Sequence, residues 1–134
     1  MSKRSLQIAT AILGVVPFAT GIVGMFGIGD PIYGSLGLPQ DALLDSNLRF
    51  FSGVWLGLGV AVFWLVPNIE RQAVLFRALW GMIFIGGIGR LLSMLLIGNP
   101  PVPFIAFTVL EIIGAPIFIV WQSSISGIRR NGKS

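Results

Sequence analysis

Apolar residues run almost unbroken through four stretches of this chain, and polar residues gather in the segments between them. The stretches extend from Leu6 to Ile28, Leu48 to Val66, Ala73 to Ile97 and Val102 to Trp121, and none holds more than two charged side chains. Each is close to the roughly 20 residues that a helix needs to cross hydrocarbon. None shows the alternation and frequent turns of a membrane barrel. The pattern predicts an all-α fold, an integral membrane four-helix bundle forming one four-span domain over residues 1–134. Asp45 or Ser46 is expected to cap the second helix, because a short polar side chain there satisfies orphan N–H groups. Pro67-Asn68 and Asn99-Pro100-Pro101 end the second and third spans. Lys3 and Arg4 ahead of the first span resemble the start of a signal peptide. Its apolar stretch is longer than the usual core, however, and no Ala-x-Ala site closes it, so the first helix is read as retained.

Composition strengthens this reading. Hydrophobic residues make up 54% of the chain and charged residues 10%, against about 25% charged in ordinary soluble domains. Lys3, Arg4, Arg71, Arg77, Arg129, Arg130 and Lys133 fall on one side of a four-span model. Arg49 is alone among Asp30, Asp41 and Asp45 on the other. The positive-inside rule then places both termini of a multi-pass membrane protein in the cytoplasm. The segment from Gly29 to Asn47 lies outside, punctuated by Pro31, Gly34, Gly37 and Pro39, and is read as a packed connector with a short helix from Pro39 to Leu44, a lid over a cavity being the alternative.

The chain has no cysteine and no histidine. That excludes disulfides, thiol chemistry, Cys/His zinc sites and haem held by those side chains. No serine has an adjacent base, and the outer acids lack metal-ligand spacing. Neither a metal nor any other cofactor is expected, and an enzyme is the least favoured class. The net charge of +4 sits at span ends rather than in a patch interleaved with aromatics, so nucleic acid is not expected as a partner.

The informative residues are the ionisable ones inside the spans, because charge there is costly and marks function by default. Residues three or four apart share a helix face. Gly86, Arg90 and Ser93 form one stripe in the third span; Phe104, Thr108, Glu111, Ala115 and Gln122 form another in the fourth. With about 1.5 Å rise per residue, Arg90 and Glu111 both sit about 10–14 Å below the outer end. Matched depth predicts an ion pair, for which guanidinium offers a bidentate fork, with Ser93 and Thr108 satisfying the remaining groups. The pair either fixes helix register or serves a ligand. Alternatively Arg90 snorkels outward while Glu111 lines a cavity, or Glu111 exchanges a proton. Arg49, at the outer start of the second span, answers Asp45 or Asp41, binds a lipid phosphate, or extends a cluster with Asn47 and Ser52 above Arg90.

In the first span Thr10, Gly14, Pro17, Gly21 and Gly24 share a face suited to close helix packing. Gly53 and Gly57 form a Gly-x-x-x-Gly pair, read mainly as packing within the chain, with a homo-oligomer contact as the rival. Pro17 is expected to bend the first helix and Pro116 to kink the fourth. Trp64, Trp80 and Trp121 read as an interfacial belt, and Trp55 as a deeper residue able to line a cavity.

Asn47-Leu48-Arg49-Phe50-Phe51-Ser52-Gly53, with Arg90 in the third span and Glu111 in the fourth, resembles a bacterial family of small four-span membrane proteins, domain of unknown function 4345. The resemblance covers nearly the whole chain. It implies a four-helix membrane bundle and attention to Arg49, Arg90 and Glu111, and it implies no activity. The function expected from the residues is noncatalytic binding of a membrane lipid or amphipathic small molecule in an outward-opening cavity. Arg49, Arg90, Glu111, Asn47, Ser52, Ser93 and Thr108 are the expected contacts. The alternatives are a small proton-coupled transporter acting as a dimer through Glu111, and an accessory subunit of a membrane complex.

Overall fold

In the computed structural model every long element is helical, and each element begins or ends where local chemistry requires it. The structure describes residues 2–131, with side chains described to Ser126. Helix α1 spans Lys3–Gly24, α2 Ala42–Leu65 and α3 Ala73–Leu96. The last rod is composite: α4 (Val102–Val109), a π-helical turn (Leu110–Gly114) and α5 (Ala115–Asn131). All four rods are long and apolar enough to cross a membrane. Arg129, Arg130 and Lys133, counted toward the positive side, have side chains outside the described set.

Several boundaries depart from the expected ones. Ser2 accepts the Ser5 N–H at 3.1 Å, so α1 starts with an N-cap before the apolar run begins. It ends at Gly24, ahead of the expected Ile28, and a short 3-10 turn over Gly27–Gly29 follows. The cap of α2 is Asp41, whose carboxylate accepts the Leu44 N–H at 2.9 Å. Neither Asp45 nor Ser46 has that role. The expected Pro39–Leu44 helix is absent as such: Pro39, Gln40 and Asp41 are not helical, residues 42–44 belong to the first turn of α2, and the connector holds a 3-10 helix over Pro31–Leu36. Buried Asp30 caps it through the Ile32 N–H at 2.8 Å.

Pro116 follows the π turn by two residues. Lacking an N–H, it cannot bond the carbonyl four residues back, and its ring crowds that carbonyl. Ile112 supplies that carbonyl, and it lies within the widened turn. The interruption expected at Pro116 is thus shifted one turn toward Glu111.

The chain divides into two compact units, residues 7–67 and residues 1–6 with 68–134. In the first, α1 buries Thr10, Gly14, Pro17, Gly21 and Gly24, the face expected from spacing. A Cβ on Gly21 would lie 2.7 Å from the Leu56 backbone, and one on Gly59 would lie 2.6 Å from Phe18 N. Backbones approach because side chains are missing, which is how helices attract in a solvent as apolar as leucine. Gly57 is different: a Cβ there meets nothing within 4 Å, so the expected Gly53/Gly57 seam is not where these helices meet. Trp55 donates from Nε1 to Thr20 Oγ1 at 2.9 Å, which makes it a strut between α1 and α2 rather than a cavity wall.

In the second unit, Trp80 is buried between Phe76 and Phe118, with its ring centroid 4.4 Å from that of Phe118. Trp121 packs against the same phenylalanine. The expected belt therefore loses Trp80 to an internal aromatic stack, while Trp64 remains exposed. The connection into α3 is fastened by Gln122, which donates to the Ile69 carbonyl at 3.1 Å, and by Lys3, paired with Glu70 at 2.9 Å.

Burial is inverted relative to a soluble protein. Thr10, Thr108, Glu111 and Gln122 are buried, whereas Ile12, Ile85, Leu95, Ile117 and Val120 point outward. Such a surface needs hydrocarbon around it. The glycine contacts give a direct test. Gly21→Ala and Gly59→Ala are expected to destabilise the protein by about 1–3 kcal/mol through overpacking. Gly57→Ala should leave stability unchanged or raise it, since alanine is the better helix former. Thermal unfolding of the three variants in one mild detergent checks the contrast.

Candidate functional site

Two arginines stand inside spans with acidic partners, and their surroundings differ in kind. Arg49 sits two turns into α2. Its Nε donates to Asp45 Oδ2 at 2.6 Å and its Nη2 to Asp45 Oδ1 at 3.2 Å. Nη1 donates to the Met25 carbonyl and Nη2 also reaches the Phe26 carbonyl at 3.2 Å. These carbonyls lie just past the end of α1, where helices leave acceptors without intrahelical donors. Arg49 satisfies them from the next helix. Asp45 completes the clasp by accepting the Ile28 N–H at 3.1 Å. Gly27 lies beneath with φ +63°, and a Cβ there would collide with the Asp45 carboxylate. Of the five N–H groups of a guanidinium, four are committed to the protein. An open, mainly apolar groove of about 460 Å³ runs beside the clasp, lined by Met25, Arg49, Phe50, Gly53 and Val54.

Arg90, in the other unit, is differently placed. Its Nε lies 3.1 Å from Glu111 Oε2, with 39% of the arginine side chain exposed against 10% of the glutamate. The expected ion pair is present. The expected fork is not: Oε2 is buried without a hydrogen bond, so the contact is one of charge at an unfavourable angle. The Phe104 ring lies under the guanidinium, 5.7 Å from centroid to Cζ, within cation–π range. Nothing in the protein hydrogen-bonds the two terminal nitrogens of Arg90 among the described residues.

The backbone explains how the pair meets. Glu111 is the second residue of the π turn, a geometry that recurs at functional sites. Gly87 of α3 faces it, and a Cβ on Gly87 would come 2.7 Å from Glu111 Cβ. Spacing from Arg90 had suggested Gly86 for this face. Gly86 is exposed and Gly87 buried: four residues overshoot a full turn and three fall short of it, and the contact with Glu111 lies on the side that three residues reach. The Gly86-Gly87 doublet was the available signal.

The remaining candidates do not complete either pair. Thr108 is buried beside Glu111 but donates to the Phe104 carbonyl at 2.9 Å, four residues back. Ser93 is exposed one turn beyond Arg90. In the other unit, Ser52 donates to the Leu48 carbonyl at 2.7 Å and packs over Gly24. Asn47 is exposed with no side-chain hydrogen bond.

The model of the domain of unknown function family DUF4345 matches residues 5–122. The chain belongs to this family. The match spans all four rods of this DUF4345 protein and includes Arg49, Arg90 and Glu111. No curated protein and no solved structure matches the chain.

The clasp predicts a structural phenotype in this DUF4345 member. Arg49→Lys keeps the charge but loses the fork, and Gly27→Ala forces a left-handed residue that costs about 1–2 kcal/mol before any collision. Both should lower the thermal midpoint and speed hydrogen exchange at residues 25–28, read by mass spectrometry, while the exchange of residues 87–111 stays unchanged.

Proposed function

We propose that this protein is a noncatalytic, multi-pass protein of the bacterial inner (cytoplasmic) membrane that binds a lipid or similar amphipathic small molecule. The ligand's polar headgroup is held at Arg90, and Phe104 and Phe107 face its apolar part. One observation carries the reading: a guanidinium within a span is held by Glu111 through Nε and backed by Phe104, while its terminal nitrogens have no hydrogen-bond partner among the described residues. Unsatisfied donors are expensive where no water competes. A headgroup oxygen supplies what they lack, and two adjacent N–H groups suit a phosphate or carboxylate bidentately. Ser93 extends the polar stripe toward the end of α3, and Thr108 sits on the opposing face.

Arg49 has a lesser part here than its charge suggests, since its donors already hold Asp45 and two carbonyls. Within its own unit it lines a groove with Phe50 and Val54. The orientation that accompanies the reading has both termini in the cytoplasm, with Lys3, Arg4, Arg71 and Arg77 on that side by the positive-inside rule.

The test removes both charges together, so that neither ion is stranded in the span. Native mass spectrometry of the protein released from mild detergent should show a retained lipid or amphipathic adduct. The Arg90→Ala/Glu111→Gln double variant should lose that adduct while keeping its helix content. An adduct of equal occupancy in the double variant would sink the proposal.

A further inference from the structure

The charge balance at Arg90 restricts what the site can accept. Arg90 and Glu111 together are neutral, and the charged groups on the neighbouring elements leave that balance undisturbed. The π turn packs against α3, α4 and α5. On α3 the other charged residue is Arg77, thirteen residues from Arg90 and bonded to Ser123 Oγ at 3.1 Å. Helix α4 has no titratable side chain, and α5 has none among residues 115–126. Arg90 is thus the single charge that faces Glu111 among the described residues.

An anion arriving at the terminal nitrogens of Arg90 would leave the site with one net negative charge in a low-dielectric surrounding. Uncompensated charge there is costly enough that groups neutralise instead. The group able to neutralise is Glu111. Its approach to Arg90 is not a hydrogen bond but a 3.1 Å contact of charge, and its Oε2 is buried with no hydrogen bond. It therefore has little to lose when Arg90 turns to another acceptor.

We infer that the Arg90–Glu111 pair binds a singly charged anionic headgroup together with one proton, the anion on Arg90 and the proton on the Glu111 carboxylate. This rests on the ligand-binding reading above and specifies its ligand as anionic lipid rather than zwitterionic. The balance closes at zero net charge in both states: Arg90 with ionised Glu111 before binding, Arg90 with the anion and neutral Glu111 after. Glu111 is then the coupling group of the site, and Arg90 the recognition group.

Dioctanoyl phosphatidylglycerol is a suitable probe, because its single charge is constant across the working range; dioctanoyl phosphatidylcholine is the zwitterionic control. Calorimetric titration of the full-length protein in nonionic detergent, in two buffers of different ionisation enthalpy, counts protons taken up without any mutation. Close to one proton per bound phosphatidylglycerol is expected, with affinity falling toward tenfold for each unit of pH between pH 6 and 8. Glu111→Gln should bind the same lipid with affinity independent of pH. Equal affinity at pH 6 and 8 with no proton uptake would overturn the coupling and leave lipid binding intact. Equal binding of the two lipids without proton uptake would overturn it in favour of a zwitterion site. No binding of either lipid would overturn it as well, with the ligand reading judged separately by the copurified adduct.

Discussion

Polar groups in the spans of this protein gain most from partners within the protein, because the surrounding hydrocarbon offers none. That constraint organises most of what is seen. Thr20, Ser52, Thr108 and Ser123 fold their hydroxyls back onto carbonyls four residues earlier, so a polar side chain is accommodated without a second helix. Trp55 then uses Thr20 as an acceptor and ties α1 to α2. Arg49 satisfies Asp45 and the open end of α1 together. Thr10 Oγ1, Trp80 Nε1 and Trp121 Nε1 are buried without a hydrogen bond, but Arg90 differs from them in carrying a charge, and the functional proposal grows from its terminal nitrogens.

The four rods, the small-residue face of α1 and the Arg90–Glu111 pair were legible in the sequence for a common reason. Each depends on periodicity and depth along a helix, which spacing encodes directly. The start of α2 was misplaced because hydropathy registers where a chain enters hydrocarbon, whereas Asp41 caps the helix in the polar connector ahead of it. The π turn was invisible to a fixed period of 3.6 residues, although Pro116 marked its neighbourhood. Trp80 was assigned to the interface from its position near a span end; Phe76, four residues earlier, shares its helix face, but nothing in the spacing indicated that Phe118 of the last rod would close over it.

The arginines show where residue type alone misleads. Both lie in spans, both have a carboxylate nearby, and both belong to the stretch matched by the DUF4345 family. Arg49 faces its acid one turn away on the same helix and spends its other donors on backbone. Arg90 faces an acid on another helix, reaches it through one nitrogen and keeps the rest. Sequence separation to the partner does not distinguish a brace from a site. The number of donors left over is the ground on which a site is proposed at Arg90 and not at Arg49.

The clasp at the end of α1 also bears on how the protein is made. The carbonyls of Met25 and Phe26 are completed by a side chain 23–24 residues further along the chain. While the chain is being synthesised, α1 therefore enters the membrane with an unfinished end, which closes only after the first two turns of α2 have formed. The end of α1 is thus completed only in the company of α2, so the two helices form one hairpin unit rather than two independent spans.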